Sequence, residues 1–491
     1  MCSVDGCKCF FAVRYHFFPE CSTARKPSGI KSHRDSINKP ISGQALSVNI
    51  AGSPIPNESS PDMSRFLYSF LLYLAVPAVL IKLVLRARKS PAYAHRWCER
   101  FGFIKKLPND KPIIWIHSVS VGETIASAPM VHALMNQYRN HHFLITTMTP
   151  TGSERVKKIY GDRVSHVYCP YDLPDVQSRF LNRTHIKMAL IMETELWPNT
   201  IAACKARNIP VVIINARLSE KSARGYAKLG SLTRNMMQNI HRVACQTEND
   251  GERFKQLGLP AERLTVTGSV KFDLSVDDEI HKSAALLKST WESGLGRTTK
   301  ILIAASTHDG EDKPVLDAFR KIQEQLTDTL LLIVPRHPER FDRVFELSES
   351  LGFNTIRHSQ ATETSRDTEV IIGDTMGELM KLYATSDIAF VGGSLIENGG
   401  HNMLEPAALG IPVLSGPSIY NFMDISQQLE DAGGMKTIQN SDQLAEVVSD
   451  LLTDDAARKK MGSQAQTFVE GNKGSLQKLL KQVSETIDHL G

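Results

Sequence analysis

From residue 112 onward the chain alternates short apolar runs with stretches of helical periodicity, and no other feature restricts its fold as strongly. The first half carries the runs PIIWIHS, HHFLITTMT, KMALIME, PVVIINA and HRVACQT, and the second carries KILIAAS, TLLLIVPR, EVIIGD, DIAFVGG and IPVLSG. Strands that alternate with helices imply parallel, doubly wound sheets. The pattern predicts an α/β chain of two Rossmann-like domains, each with a sheet of about five strands, joined near residues 270–280. Ligands of such sheets bind beyond the carboxyl ends of the strands, so the loops after the apolar runs are where function belongs.

Those loops are polar. The first run leads into His117-Ser118-Val119-Ser120-Val121-Gly122-Glu123, the third into Glu193-Thr194-Glu195-Leu196-Trp197, and the fourth into Asn215-Ala216-Arg217. In the second half the loops are Ser306-Thr307-His308-Asp309-Gly310-Glu311, Pro335-Arg336-His337 and Asp374-Thr375-Met376-Gly377-Glu378. Hydroxyls, carboxylates and basic groups at nearly every strand end, on two sheets facing each other, describe a cleft enzyme. The stretch FVGGSLIENGGHNMLEPAALGIPVLSGP, 390–417, reads as strand, glycine-rich loop, helix and strand. Its glycines would let a ligand approach the backbone, and Asn402 with Glu405 three positions on has the pattern of a helix start, where free N–H groups favour a phosphate. An ordinary tight turn between strand and helix fits the same residues.

Length and charge set wider bounds. At 491 residues there is material for two or three domains, and a net charge of +4 is too small to argue for nucleic acid. Residues 66–81 are uncharged and lie between Arg65 and the cluster Lys82, Arg86, Arg88 and Lys89. A spanning helix needs ~20 residues, so the segment either extends past a snorkelling Lys82 and crosses a bilayer or lies in the interface as an anchor. The basic flank then places the rest of the chain on the cytoplasmic side, and with Arg96 it makes a basic rim for anionic headgroups. A buried core helix is the rival reading, against which Pro77 and the lack of an amphipathic pattern argue. Four of the eight cysteines fall at Cys2, Cys7, Cys9 and Cys21, without the spacing of a zinc site, and the rest are scattered. Residues 1–62 are expected to be a disordered extension, with Met63 as an alternative start and a targeting sequence as the competing explanation. The four histidines His117, His308, His337 and His401 have no HxxxH or HxH spacing, so no metal site is expected.

Taken together, HSVSVGE, TTMTPTGSERV, METELWPN, NARLS, TGSVKFD, PRHPER, GDTMGEL and FVGGSLIENGGHN resemble the 3-deoxy-D-manno-octulosonic acid (Kdo) transferases of lipopolysaccharide assembly, over residues 63–485. The resemblance implies a GT-B glycosyltransferase with an N-terminal membrane anchor at 63–89, an acceptor domain at 90–275 and a CMP-sugar-binding domain at 276–491. It implies transfer of Kdo from CMP-Kdo to the tetraacylated lipid A precursor at the cytoplasmic face of the inner membrane, with no cofactor besides the donor substrate. Met403 departs from the family pattern, where proline is expected, and so does the extension before Met63.

The resemblance makes Glu123 the proton acceptor and carries CMP contacts onto Pro335, Arg336, His337, Met376, Gly377, Glu378, Asn402, Met403, Leu404 and Glu405. The residues themselves leave alternatives. Glu123 could instead be a first-turn carboxylate that complements a helix dipole, and Glu193 with Glu195 is the rival carboxylate pair. Arg336 could pair with Glu339 at the surface. A GT-B enzyme that uses a UDP-sugar shares the architecture, and a noncatalytic scaffold on the same fold is argued against by the presence of Glu123 and Arg336. A nicotinamide-dependent oxidoreductase is disfavoured because no GxGxxG follows the first strand.

Overall fold

The structure, a computed structural model, describes residues 63–489 apart from 109, 275, 361–363 and the side chain of 89. The expectations for residues 1–62, including the four early cysteines, lie outside the described residues. The chain divides into two compact units.

The first sheet carries seven strands, β1 (Ile113–His117), β2 (His142–Thr147), β3 (Ser165–Tyr168), β4 (Ile186–Met192), β5 (Val211–Ala216), β6 (Arg242–Cys245) and β7 (Leu264–Val266), in the order β3-β2-β1-β4-β5-β6-β7. The second carries β8 (Lys300–Thr307), β9 (Thr329–Pro335), β10 (Thr355–Arg357), β11 (Val370–Ile372), β12 (Ile388–Val391), β13 (Val413–Ser415) and β14 (Met435–Thr437), in the order β10-β11-β9-β8-β12-β13-β14. Pairing is parallel from β3 through β5 and from β10 through β14.

Central strands are apolar throughout because helices cover both faces. Leu302 and Ala304 of β8 pack with Val315, Phe319 and Ile322 of the helix Asp312–Gln323, while Ile301, Ile303 and Ala305 pack on the other face with Trp291 and Tyr383. The sheets have seven strands where about five were expected. The four unforeseen strands, β3, β7, β10 and β14, are all edge strands. They are three or four residues long and only partly buried, so their sequences lack the apolar run that marks a central strand.

Each order reverses direction once, between β1 and β4 in the first sheet and between β8 and β12 in the second. These switch points open a crevice at the strand ends, flanked by loops that depart to opposite sides.

The apolar segment forms one helix, Met63–Lys89, and it is the one helix among the described residues long and apolar enough to cross a membrane. At 1.5 Å per residue its 27 residues extend about 40 Å. It is neither isolated nor a core helix. Tyr68 and Leu83 are buried against the first unit, whereas Phe66, Leu67, Phe70, Leu71, Leu74, Ile81, Val84 and Leu85 are exposed. The docking is polar as well as apolar. The Tyr68 hydroxyl donates to Asp172 at 2.7 Å, and Ser69 and the Asn199 amide exchange hydrogen bonds at 3.0–3.2 Å. Asp172 is the hub, since it also accepts from the backbone N–H groups of Asn199 and Thr200 and from the Thr200 hydroxyl.

Candidate active site

The crevice of the first sheet collects carboxylates. Ser120 closes the helix Val121–Gln137 in the manner of a capping box: its hydroxyl accepts the Glu123 N–H at 3.2 Å and donates to the Glu123 carboxylate at 3.0 Å. The Val119 N–H donates to the same carboxylate at 2.7 Å. Glu123 therefore does occupy a capping position, and the local pattern Ser-Val-Gly-Glu explains why. Its electrostatics go beyond a cap. Burial first, then the negative charges of Glu193 and Glu195, push its carboxyl up to about 8, against the pull of the Val119 and Ser120 hydrogen bonds. The rival pair is thus part of the same cluster as Glu123. Glu193 holds a left-handed φ of 55° just after β4, and Asn215 and Ser306 do the same within β5 and β8, at 51° and 57°. Left-handed backbone without glycine costs on the order of 1–3 kcal/mol and gathers where function fixes the loop.

His117 stands apart. It is buried on β1 with Nδ1 at 2.9 Å from the Thr146 hydroxyl, and desolvation pulls its imidazole down to about 4. It stays neutral at physiological pH.

In the second unit the crevice lies between the loops after β8 and β12. Glu311 organises it: one carboxylate oxygen accepts the N–H groups of His308 at 2.9 Å and Gly393 at 2.6 Å, and the other accepts those of Ser394 and Leu395, each at 2.9 Å. Sequence reading missed this role, although a carboxylate three residues beyond His308 at a helix start was its visible sign. His308 and His401 stack at 5.0 Å with Nε2 atoms 2.7 Å apart, and His337 meets His308 edge-on at 5.4 Å. Burial, reinforced by neighbouring cations, lowers His308 to about 4 and His401 to about 3. Arg336, exposed at the end of β9, is anchored by its N–H to the Thr307 carbonyl at 3.0 Å, and its charge bears on His308, His401, Glu405 and Tyr383. Among the described residues it forms no ion pair with Glu339.

Asn402 braces the next turn, accepting from the Leu404 N–H at 3.2 Å and donating to Glu405 at 3.1 Å. Burial raises the Glu405 carboxyl, and the Asn402 bond and Arg336 oppose that rise. Met403 and Leu404 turn their side chains into the core, with the Met403 sulfur accepting from Ser426, so only their backbone faces outward chemistry. Pro335 is buried at the end of β9. After β11, Met376 is exposed, Gly377 has φ +94° with open space beside it, and Glu378 accepts from Lys381 at 2.9 Å, its carboxyl lowered to about 2 by the neighbouring Thr375 hydroxyl and Lys381.

Two expectations about the glycine loop are corrected. The helix after it is only Leu404–Ala408, too short for a developed macrodipole. Protein atoms fill the space beside three of its glycines. A Cβ on Gly392 would lie 2.8 Å from the Ser306 carbonyl, one on Gly393 would meet the His401 ring at 2.9 Å, and one on Gly399 would meet Tyr420 at 2.4 Å.

Two family models match. Residues 95–274 match the 3-deoxy-D-manno-octulosonic-acid transferase (kdotransferase) model, and residues 311–468 match glycosyl transferases group 1. The chain is 43% identical over 420 residues to the 3-deoxy-D-manno-octulosonic acid transferase of Haemophilus influenzae, covering 85% of this chain and 97% of that protein. It is 32% identical over 431 residues to the Bordetella pertussis transferase of the same name, covering 85% and 98%. A crystal structure of the C-terminal CMP-Kdo binding domain of WaaA from Acinetobacter baumannii is 35% identical, with a TM-score of 0.37, covering 39% of this chain and 98% of that one. The two Rossmann-like units are those of a GT-B enzyme, and the chain belongs to the 3-deoxy-D-manno-octulosonic acid transferase family of glycosyltransferases.

Proposed function

We propose that the protein transfers Kdo from CMP-Kdo to the phosphorylated, tetraacylated disaccharide precursor of lipid A, at the cytoplasmic surface of the inner membrane. An acceptor hydroxyl attacks the anomeric carbon of the donor sugar as CMP departs from the opposite face with the electron pair of the broken glycosyl–phosphate bond. Glu123 takes the hydroxyl proton. A base works best with a pKa near the operating pH, and the environment that pushes Glu123 up to about 8 is the observation that carries the assignment. Arg336 compensates the charge that develops on the departing phosphate, as an exposed guanidinium without a carboxylate partner among the described residues can. Glu405 suits the ribose hydroxyls as a two-acceptor carboxylate. The CMP-Kdo binding named for the Acinetobacter domain supports the donor.

The half-exposed apolar helix supports attachment to the membrane surface. Its buried side is fixed to Asp172 and Asn199, which suits a helix lying in the interface better than one surrounded by lipid.

Mass spectrometry of the lipid precursor after incubation with enzyme and CMP-Kdo tests the whole assignment. The expected result is a gain of one or more Kdo residues. Turnover with UDP-N-acetylglucosamine and none with CMP-Kdo would overturn it.

A further inference from the structure

A cavity of about 260 Å³ lies within the first unit, between the helix Met63–Lys89 and the loops that follow β2 and β3. Its helical wall is one stripe, Leu72, Val76, Val79 and Leu83, spaced so that all four face the same way. Met148, Leu173 and Trp197 line the other side. Three cations interrupt this apolar lining: Lys82 is exposed, Arg86 is half-buried and Arg100 is only 3% exposed.

Arg100 is the telling residue. It donates to the Met148 carbonyl at 3.0 Å and lies over the Tyr168 ring at 4.3 Å, but its Nε has no partner and no carboxylate pairs with it among the described residues. Asp172 also lines the cavity, yet its oxygens are taken by Tyr68, Asn199 and Thr200. A buried guanidinium without a counter-charge is costly, and an anion from outside would complete it. The Trp197 indole N–H is buried beside the same space without a partner among the described residues.

We infer that this cavity seats one acyl chain of the phosphorylated acceptor, with the acceptor's phosphate against Arg86 and Arg100. The inference rests on the acceptor class proposed above. At about 260 Å³ the cavity is small, and its apolar helical wall suits part of a hydrocarbon chain better than a sugar. Charge complementarity distinguishes the acceptor from a neutral lipid, because the cavity joins an apolar stripe to three cations. Its position also ties the chain to the chemistry. The Met148 N–H donates to the Val119 carbonyl at 3.3 Å, and the Val119 N–H donates to Glu123 at 2.7 Å. A chain lodged beside Met148 fixes its sugar with respect to the base. Each methylene withdrawn from water is worth about fourfold in affinity.

The test uses the full chain in phosphatidylcholine vesicles and an acceptor with a diazirine at one acyl terminus. Crosslinks are expected within residues 72–83 and at Met148 or Leu173, and excess unlabelled acceptor should abolish them. Crosslinks elsewhere overturn the assignment, as does labelling of these positions by diazirine-bearing phosphatidylcholine that acceptor fails to displace. Val76→Phe fills the cavity and should raise the KM for acylated acceptor, relative to a deacylated acceptor with the same sugars and phosphates, by at least about tenfold. An equal effect on both acceptors overturns it. Arg100→Met could fail to fold, so Arg86→Glu serves as the charge test, with the same shift in KM ratio expected. Failure of the wild type to transfer Kdo to either acceptor would sink the proposed function, whereas the crosslink map decides the cavity by itself.

Discussion

Glu123 shows how one side chain can satisfy a local rule and a chemical one together. Its capping bonds with Ser120 and Val119 hold the carboxylate in place, and burial beside Glu193 and Glu195 makes its ionised form unfavourable. Turnover should therefore rise with pH through about 8 as Glu123 ionises, and a rate profile in the wild type checks this. Glu123→Gln should lose about 10²–10⁴ in rate, the contribution of a positioned base, while donor binding persists. Stability should move the other way. Because the folded pKa is raised, the native state binds more protons than the unfolded chain between the carboxyl's ordinary range and about 8, so this group's contribution falls as pH rises through that window. The amide carries no charge to bury, and the Ser120 hydroxyl can rotate to accept from it. Glu123→Gln should melt about 2–4 °C higher than wild type at pH 8, the shift that ~1 kcal/mol gives in a domain of this size. Equal melting temperatures at pH 8 and normal turnover would remove Glu123 from the mechanism.

At the scale of elements, two carboxylates join segments that are far apart in sequence. Glu311 spans from the helix Asp312–Gln323 to the loop after β12, and each of its oxygens accepts two N–H groups. In Glu311→Gln the amide nitrogen must confront two backbone donors whichever way it flips. The expected loss is about 2–4 kcal/mol in chemical denaturation of the second unit, together with weaker CMP binding by calorimetry. Asp172 plays the matching part in the first unit, where it secures the apolar helix through Tyr68. Tyr68→Phe removes a hydrogen bond to a buried carboxylate and should cost about 1.5–3 kcal/mol. Limited proteolysis should then cut sooner within 63–89 than in the wild type. An unchanged cleavage rate would mean that apolar packing alone holds the helix.

For the molecule as a whole, the arrangement of exposed surface argues for a docked enzyme. Phe66, Phe70, Leu74, Ile81 and Leu85 form an apolar face with no partner among the described residues, next to Lys82 and Arg88. Arg96, expected in the same basic rim, is instead bound to Glu99 at 2.8 Å and to Ser153 and the His166 carbonyl. On the proposed membrane docking, headgroup attraction then falls to the helix's own cations, at ~1 kcal/mol each. Phe70→Asp with Leu74→Asp should reduce flotation with anionic vesicles by at least tenfold, and 0.5 M salt should weaken wild-type binding without abolishing it. Complete release by salt would show that the apolar face stays out of the bilayer.

The alternation of apolar runs and helical patterns was enough, by itself, to establish two parallel doubly wound sheets, because strands buried on both faces need long apolar sequences such as TLLLIVP and KILIAAS. The edge strands Ser165–Tyr168, Leu264–Val266, Thr355–Arg357 and Met435–Thr437 were illegible because a half-covered strand of three or four residues carries no such signature. Glu123, Arg336 and Glu405 were candidates from local pattern and family resemblance; the loops of Glu123 and Glu405 follow strands at the reversals in strand order, and that of Arg336 follows the neighbouring β9. The tertiary structure decided what surrounds them. Burial and the charges of Glu193 and Glu195 set the Glu123 carboxyl, and Glu311 rather than a ligand claims the N–H groups of the glycine loop. It also decided that the glycines admit His401 and Tyr420, and that Arg100 is buried beside the apolar helix without a counter-charge among the described residues. Periodicity records which residues leave water, whereas these pairings join positions tens of residues apart, and only the folded chain brings their charges within reach of one another.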